Sequence, residues 1–196
     1  MNVIQLPRQR QRSHPVVCFV DLQLEYVSTG RALAVDDVDP WIGNCRNLLA
    51  FARDAGLPIA HFRQLRRGPF FNPATTFAGW IEEFRPRPSE MVFERALPSC
   101  YSAAAFAEFA DNIDNPILVI CGLTSSGACL ATVLDGFHRD HAACFVTDAS
   151  WSPPLGSASS HEARAMSAEI IRQYADLYDT TQLIEWLSHE TFSLVG

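Results

Sequence analysis

Lysine is absent from this 196-residue sequence, in which all 15 of the Lys and Arg positions are arginine. A phosphate-binding P-loop needs a lysine that reaches the phosphates, and Schiff-base chemistry needs a lysine amine. Neither mechanism is therefore open to this chain. Long apolar runs are absent as well, since no stretch approaches the roughly 18 residues of a membrane-spanning helix. We therefore expect no membrane partner.

Positive charge is scarce, because the formal net charge is -7. A protein that binds nucleic acid through its phosphates presents a basic surface, so we expect no nucleic-acid partner. Arg8, Arg10 and Arg12 form one basic stretch, which we interpret as a flexible arm over residues 1–14. A binding role for this arm is the alternative. The same segment lacks the charged and then apolar order of a secretory signal, so we expect a cytoplasmic protein.

The cysteines are scattered singly, mostly inside apolar runs, and no two of them form a CxxC pair. They are Cys18, Cys45, Cys100, Cys121, Cys129 and Cys144. This spacing is typical of buried, reduced thiols rather than of a disulfide framework or a zinc site. Asp135, His138 and His141 recur at helical spacing, but a histidine at a helix end also favours the helix dipole. We therefore expect no metal site and no cofactor.

Short apolar runs alternate with segments of helical periodicity, which predicts one domain over residues 15–196. The predicted strands are 15–22, 58–62, 91–93, 116–121, 144–147 and 175–178. The predicted helices start at Asp39 and Pro40, near Trp80, at Ala103, at Ala128, after the capping residue Ser159 and at Gln182. This alternation predicts an α/β fold, a three-layer α/β/α arrangement around a mainly parallel six-stranded sheet. Residues 64–88 are predicted to be a long irregular connection of a kind that often carries function.

Three groups of candidate functional residues follow predicted strands. Ligands of parallel sheets bind beyond the carboxyl ends of the strands, where Asp21, Arg95 and the small-residue turn from Gly122 are expected. An acid, a fixed cation and several backbone N–H donors could therefore converge there. A helix N-terminus lowers the pKa of a nearby thiol, so Cys129 could be an activated nucleophile.

Three blocks of the sequence resemble, in order and spacing, the isochorismatase-like hydrolase superfamily. They are VVCFVDLQLEY, MVFER before PSCYS, and VICGLTSSGACLATVLDG followed by CFVTDAS. The resemblance extends over about residues 15–180. It implies a small-molecule substrate and hydrolysis of an amide-type C–N bond through a thioester, or of a vinyl ether. It also implies a homodimer or homotetramer and, because HFRQ at His61 lacks the DxH pattern of the metal-binding nicotinamidases, it supports no metal.

The usual catalytic triad of the superfamily is Asp, Lys and Cys, and two of its three positions differ here. Asp21 falls on the aspartate, Arg95 on the lysine and Ala128 on the cysteine, with Cys129 one residue later. Arginine keeps the charge but cannot shuttle protons. One residue along a helix is a rotation of about 100°, so Cys129 would point away unless the turn is rewound. The catalytic candidates are Asp21, Arg95 and Cys129, and the substrate-binding candidates are Gln23, Trp80, Tyr101, Thr124, Ser125 and Ser126.

Three functions stay open at this point. The first is a hydrolase that depends on Asp21 and works without a cysteine, and the second is a cysteine hydrolase with Cys129 as nucleophile. The third is a catalytically silent ligand-binding or oligomer scaffold of the same fold. Each residue also has a purely structural alternative: Asp21 could cap its strand, Cys129 could fill the core and Arg95 could form a surface ion pair with Glu94.

Overall fold

Strands and helices alternate along the chain in the computed structural model, which describes residues 13–35 and 38–192. The strands are β1 (His14–Val20), β2 (Ile59–Gln64), β3 (Met91–Arg95), β4 (Pro116–Leu123), β5 (Ala142–Trp151) and β6 (Asp176–Tyr178). The helices are α1 (Val38–Asp54), α2 (Ala104–Asp111), α3 (Leu130–His138), α4 (Ser160–Ile171) and α5 (Thr180–Phe192). Most of the predicted arm, residues 1–12, lies outside the described residues.

The strands form one sheet in the order β3-β2-β1-β4-β5-β6, with every neighbouring pair parallel. The chain starts in the middle of the sheet, adds β2 and β3 on one side, and then returns to add β4 on the other side of β1. The direction of strand addition therefore reverses between β1 and β4, which is where open α/β sheets bind ligands. The predicted α/β fold with a parallel six-stranded sheet is confirmed.

Alternate residues of each strand point to opposite faces of the sheet. Both faces are buried, because helices pack against each of them. On one face Val17 and Phe19 of β1 pack in a core with residues of α1 and α5. On the other face Val16, Cys18 and Val20 pack in a second core with residues of α2, α3 and α4. A strand that is covered on both sides reads as a continuous apolar run, which explains why β1 and β4 could be recognised from sequence.

Several element boundaries differ from those that the sequence predicts. Helix α1 begins at Val38, so Asp39 and Pro40 lie in its first turn. Strand β5 continues to Trp151, because a register shift after Ile120 lets Gly122 pair with Ser150 beyond the apolar part of the strand. Within the predicted long connection the helix expected near residue 80 is only a 3-10 turn, Glu82–Phe84.

Two local predictions are confirmed. All six cysteines are free and buried. The capping box at the start of α4 is present, with Ser159 Oγ accepting from the N–H of Glu162 at 3.3 Å and a Glu162 carboxylate oxygen accepting from the N–H of Ser159 at 2.8 Å. In the part of the chain that the structure describes, none of the helices combines the length and the apolar character needed to cross a membrane.

A buried ion-pair cluster fixes the loop before β3 to α1 and β2. Glu90 accepts hydrogen bonds from Arg53 at 2.7 and 3.0 Å, and its Oε2 lies 2.9 Å from His61 Nε2. Burial opposes the ionisation of Glu90, but the hydrogen bonds from Arg53, from the Arg87 N–H and from His61 outweigh it and lower its pKa to about 2. Glu90 is therefore a carboxylate at neutral pH, and it holds three segments together.

We expect Glu90→Gln to lower the free energy of unfolding by about 2 kcal/mol at neutral pH, since hydrogen bonds to a buried charge are lost. A lowered folded-state pKa gives stability that is present above the ordinary pKa of 4.5 and is lost as pH falls toward 2. Urea unfolding measures both effects, and the deficit of the variant should shrink on acidification. The matched control is Glu82→Gln, which removes only an exposed pair with Arg85 and should change stability by less than about 0.5 kcal/mol. Equal stability of Glu90→Gln and wild type would contradict the assignment.

Candidate active site

Asp21 is the first residue after β1, at the reversal point of the sheet. Its N–H donates to the carbonyl of Phe62 on β2 at 2.9 Å, and its carbonyl accepts from the N–H of Gln23 at 2.7 Å. Its φ of 51° lies in the left-handed region, which costs about 1 kcal/mol for a residue other than glycine. Its side chain is buried. Backbone in an unfavourable conformation at a sheet's carboxyl edge is typical of a functional position.

Arg95 ends β3, two strands away, and its guanidinium reaches Asp21. Nη2 of Arg95 donates to Oδ2 of Asp21 at 2.5 Å, and Nη1 donates to the carbonyl of Leu97 at 2.6 Å. Both side chains are essentially inaccessible, at 0% and 1% exposure. The alternative pairing of Arg95 with Glu94 is wrong, because Glu94 points to the surface and pairs with Arg63. The structure therefore brings two of the three predicted catalytic candidates into direct contact.

Burial controls the charge of Asp21. Desolvation raises the pKa of its carboxyl from 3.8 to about 6, although the neighbouring Arg95 lowers it. Burial is the largest effect on Arg95 and works against its charge, but Asp21 and the neighbouring Cys100, Tyr26 and Cys129 together outweigh burial and raise the pKa of the guanidinium, which stays protonated. The site therefore combines a permanent cation with a carboxyl group that exchanges a proton near neutral pH. Such a carboxyl group is suited to acid–base catalysis.

Unsatisfied polar atoms collect at this edge of the sheet. The atoms that are buried and have no hydrogen-bond partner among residues 13–35 and 38–192 include Asp21 Oδ1, Arg95 Nε, Ser125 Oγ, Ser150 Oγ and Trp151 Nε1. They follow or end strands β1, β3, β4 and β5. Buried polar groups are normally paired, so a group of orphaned donors and acceptors calls for a ligand or for ordered water. The carboxyl edge is therefore equipped to receive a small polar molecule.

The last residues of β4 approach β1 closely. Gly122 has a φ of 110°, and a Cβ there would lie 2.2 Å from the carbonyl oxygen of Val20. Only glycine allows this contact. Residues Ser125–Cys129 then form a π-helical turn that leads into α3, and its Gly127 and Cys129 N–H groups donate to the carbonyl of Thr124 at 3.1 Å. The turn contains Ala128, which the resemblance aligns with the nucleophilic cysteine of the family. It places this residue toward the end of β1.

Cys129 does not have the environment of an activated nucleophile. It is completely buried in the core beneath α3, together with Ala128. Burial raises the pKa of the Cys129 thiol well above its usual range, and Cys100 and Asp21 raise it further, while Arg95 only partly opposes them. The expectation that the helix N-terminus lowers this pKa is wrong, because desolvation dominates. At neutral pH the group is a thiol.

Gln23 is a structural clamp, although the sequence suggests that it binds substrate. It is completely buried, and its Nε2 donates to the carbonyl of Ala78 at 2.8 Å and to that of Gln64 at 3.1 Å. Its Oε1 accepts from the N–H of Gln64 at 2.8 Å. The side-chain amide is therefore occupied in holding the end of β2 and the loop before Trp80. Both N–H donors of the amide are thus used, and only the second lone pair of Oε1 is left.

Trp80 and Tyr101 lie on different sides of the molecule. Trp80 is half-buried, packs edge-on against His61 and lines a groove of about 630 Å³ with Leu24. The hydroxyl of Tyr101 lies 2.8 Å from Nδ1 of His141, the residue before β5. That contact directs Tyr101 toward the amino end of the sheet, away from Asp21. The hydroxyl of Tyr101 therefore lies apart from Trp80 and from Asp21, although the sequence names all three as site candidates.

The hydroxyl residues of the turn divide into two groups. Ser125 is buried with its hydroxyl unpaired among the described residues, whereas Ser126 Oγ lies 2.6 Å from Ser152 Oγ at the far end of β5. Thr124 contributes its carbonyl to the turn. Sequence reasoning missed Ser150 and Trp151, since β5 was expected to end at residue 147. The one available signal in the sequence was the small or polar character of residues 148–150, which follow the predicted end of β5.

Metal-ligating side chains do not gather in the described ranges 13–35 and 38–192, where no three His, Cys, Asp or Glu residues are placed to hold an ion. Asp135 and His138 line a surface groove beside α3, whereas His141 lies against Tyr101 and within 3.6 Å of Asp111. The helical spacing of the three therefore does not bring them to one point.

Comparison with known proteins agrees with the architecture. A family model described as the isochorismatase domain matches residues 15–182. An uncharacterised isochorismatase family protein of Bacillus subtilis, YddQ, is 26% identical over 133 residues, which is 66% of this chain and 73% of the relative. Maleamate amidohydrolase of Pseudomonas putida is 22% identical over 196 residues, covering 89% of this chain and 87% of that enzyme. The structure of an isochorismatase from Pseudomonas putida KT2440 superposes with a TM-score of 0.76 at 23% identity, over 86% of this chain and 89% of that one.

Proposed function

This chain belongs to the isochorismatase family, and from that premise we propose that it hydrolyses a small molecule with Asp21 as the acid and water as the nucleophile. The substrate class that suits this arrangement is a vinyl ether. The observation that carries the proposal is the buried Asp21 carboxyl, whose pKa is raised to about 6 and whose Oδ1 is unpaired among the described residues. An acid of this kind is half protonated at about pH 6 and keeps roughly a tenth of its protons at pH 7.

The chemistry needs no covalent intermediate. Asp21 donates its proton to the terminal carbon of the vinyl ether, which leaves an oxocarbenium ion and an Asp21 carboxylate. Water adds to the cationic carbon and returns a proton to that carboxylate. The resulting hemiketal breaks into an alcohol and a carbonyl compound, so that one water is consumed and Asp21 is restored.

Arg95 has a positioning role in this proposal. Its hydrogen bond to Oδ2 fixes the carboxyl group, and this leaves Oδ1 as the oxygen that carries the proton. The guanidinium cannot give up a proton itself. The carboxylate that forms after proton transfer is stabilised by the same contact. Arg95 therefore lowers the energy of the charged intermediate without taking part in proton exchange.

Amide hydrolysis is the second candidate, and the similarity to maleamate amidohydrolase favours it. It would require a nucleophile, and the family position for one carries Ala128. Cys129 would have to lose its proton despite a raised pKa and leave the core. This requirement makes the vinyl ether reaction the better match to the residues present. A catalytically silent scaffold is the remaining alternative.

The pH dependence of kcat separates these functions. With an enolpyruvyl ether as substrate, we expect kcat to be constant below about pH 6 and to fall about tenfold per pH unit above it, because the protonated fraction of Asp21 falls in this way. A panel of amides is assayed alongside. A rate that rises with pH, or amide turnover alone, would favour a thiolate mechanism. Binding in a thermal-shift assay without turnover would favour the scaffold.

Four further expectations stay predictions. They are the homodimer or homotetramer, the cytoplasmic location, and the lack of a cofactor and of a nucleic-acid partner. None of them is needed for the reaction proposed above, which uses only Asp21, Arg95 and water.

A further inference from the structure

Serine residues gather where β4 and β5 end. Ser125 and Ser126 open the turn after β4, whereas Ser150 and Ser152 lie at the end of β5 and directly after it. Ser126 Oγ lies 2.6 Å from Ser152 Oγ, and this contact ties the turn to the strand. Ser125 and Ser150 are completely buried, yet the hydroxyl of each has no hydrogen-bond partner among the residues that the structure describes. The two therefore do not bond to each other, and both keep their full capacity to accept and donate.

Ser150 and the turn Ser125–Cys129 lie on the same face of the sheet. Ala149 packs in the core with residues of α1 and α5, so Ser150, the next residue, points to the opposite face. Cys129 packs in the core on that opposite face. The contact of Ser126 with β5 draws the turn against the end of the strand. The two unpaired hydroxyls therefore face the same space, between the turn and β5.

A row of paired residues joins this space to Asp21. Val20 pairs with Gly122, and Gly122 pairs with Ser150, so the row crosses from β1 over β4 to β5. Neighbouring strands are about 4.8 Å apart, which puts about 10 Å between the backbone at Val20 and the backbone at Ser150. The residue in the middle of the row has no side chain. Asp21 directly follows Val20, so the acid and the serines stand at the two ends of one row.

We propose that Ser125 and Ser150 hold the water molecule that attacks the substrate, an inference that rests on the function proposed above. Each serine oxygen accepts one proton of the water, which leaves the lone pairs of the water free to attack. Proton transfer from Asp21 to the terminal carbon and attack by water at the next carbon each need a separation of about 3 Å. A row of about 10 Å therefore has room for the reacting carbons between the acid and the water.

The chemistry of the two serines favours water over a charged group of the substrate. Both hydroxyls are neutral and completely buried, so an anion placed between them would lose its hydration without gaining a counter-charge. The cation of the site, Arg95, is already held by Asp21 and by the carbonyl of Leu97. A water molecule carries no such penalty, and it gives both buried hydroxyls a hydrogen-bond partner.

The serines act after the proton transfer. Once Asp21 has protonated the terminal carbon, the oxocarbenium ion either takes up water or returns a proton to the Asp21 carboxylate. The held water forms the new C–O bond, the π electrons of the oxocarbenium ion move to the ether oxygen, and the proton that the water loses goes to Asp21. Without Ser125 and Ser150 the attack is slower, because the water is no longer positioned. Return of a proton then competes better with hydrolysis.

Partial turnover of an enolpyruvyl ether in D2O tests this role. Asp21 then delivers a deuteron, so substrate that has been protonated and has returned carries deuterium on its terminal carbon. Wild type should leave little label in the recovered substrate. In Ser125→Ala/Ser150→Ala we expect kcat to fall about tenfold to a hundredfold, KM to change little and the label per product formed to rise at least about tenfold. Mass spectrometry of the substrate recovered at half conversion measures the label.

The matched control is Ser167→Ala. Ser167 is also a buried serine, but its hydroxyl donates to the carbonyl of Ala163 within α4 at 2.7 Å. This variant should keep the rate and the labelling of wild type. Each single variant, Ser125→Ala or Ser150→Ala, should show the changes of the double variant to a smaller extent, so the test does not depend on the folding of the double variant. Melting curves identify the variants that are folded.

The outcomes separate this role of the serines from the proposed function. If wild type hydrolyses the ether and the folded serine variants match its rate and its labelling, the water site is overturned and the Asp21 mechanism stands. If the folded variants lose hydrolysis and labelling together, the water site is also overturned, because the serines would then act on proton transfer. If wild type neither hydrolyses nor labels the ether, the proposed function fails and the water site fails with it.

Discussion

Replacing Asp21 with asparagine is expected to lower kcat for the vinyl ether by about a hundredfold to ten-thousandfold, the usual contribution of a positioned acid. The asparagine amide has no proton of suitable acidity, yet its oxygen can still accept the hydrogen bond from Arg95 that Oδ2 accepts at 2.5 Å. Geometry at the end of β1 is therefore kept while the proton donor is removed. The KM should change little, because binding does not require proton transfer.

Two measurements keep this result interpretable. Asparagine leaves Arg95 buried beside a neutral partner, so the melting temperature of the variant must be compared with that of wild type. The matched control is Cys129→Ala, which removes a buried sulfur near the same turn and should retain most of the activity if water is the nucleophile. Full activity in Asp21→Asn, or loss of activity in a folded Cys129→Ala, would contradict the proposed roles.

Replacing Arg95 with methionine is expected to lower the free energy of unfolding by about 3 kcal/mol at about pH 8, since Asp21 is then a buried carboxylate without a partner. The loss should be much smaller at about pH 5, where the carboxyl group is protonated and neutral. Burial already raises the folded-state pKa of Asp21 to about 6 from 3.8, and removing the cation that opposes this effect raises it further. Stability linked to this group is therefore greatest in acid and falls as pH rises through the folded-state pKa.

The same variant should shift the activity profile. With a higher pKa for Asp21, the pH above which kcat falls should move to higher pH, although kcat itself decreases because the carboxylate intermediate loses its counter-charge. Urea unfolding at the two pH values and a pH–rate profile measure both effects. The conservative variant Arg95→Lys keeps a positive charge and should keep the profile near that of wild type. An unchanged profile in Arg95→Met would show that Asp21 is not the titrating acid.

The sequence was sufficient to predict the fold because the strands are covered on both faces and so read as apolar runs. It also indicated that Asp21 and Arg95 could converge, since both follow strands of one parallel sheet, but it left a surface pair of Arg95 with Glu94 open until the structure showed the contact with Asp21. The pKa of Cys129 could not be predicted, because local position suggests a helix N-terminus while tertiary burial decides the outcome. Gln23 and Tyr101 were assigned to substrate binding because tertiary contacts cannot be read from local sequence. Their hydrogen-bond partners, Ala78 and His141, are distant in sequence.

Strand order has a consequence for how the chain is made. On the ribosome β1, β2 and β3 emerge first, and they can pair with one another while the other edge of β1 has no partner. That edge stays open until β4, which begins at Pro116, has left the exit tunnel. An unpaired edge on a strand as apolar as Val16–Val20 is a template for pairing between chains. Nascent chains should therefore depend most on chaperones in this interval, and slow translation after β3 has left the tunnel and before β4 has done so would prolong that exposure.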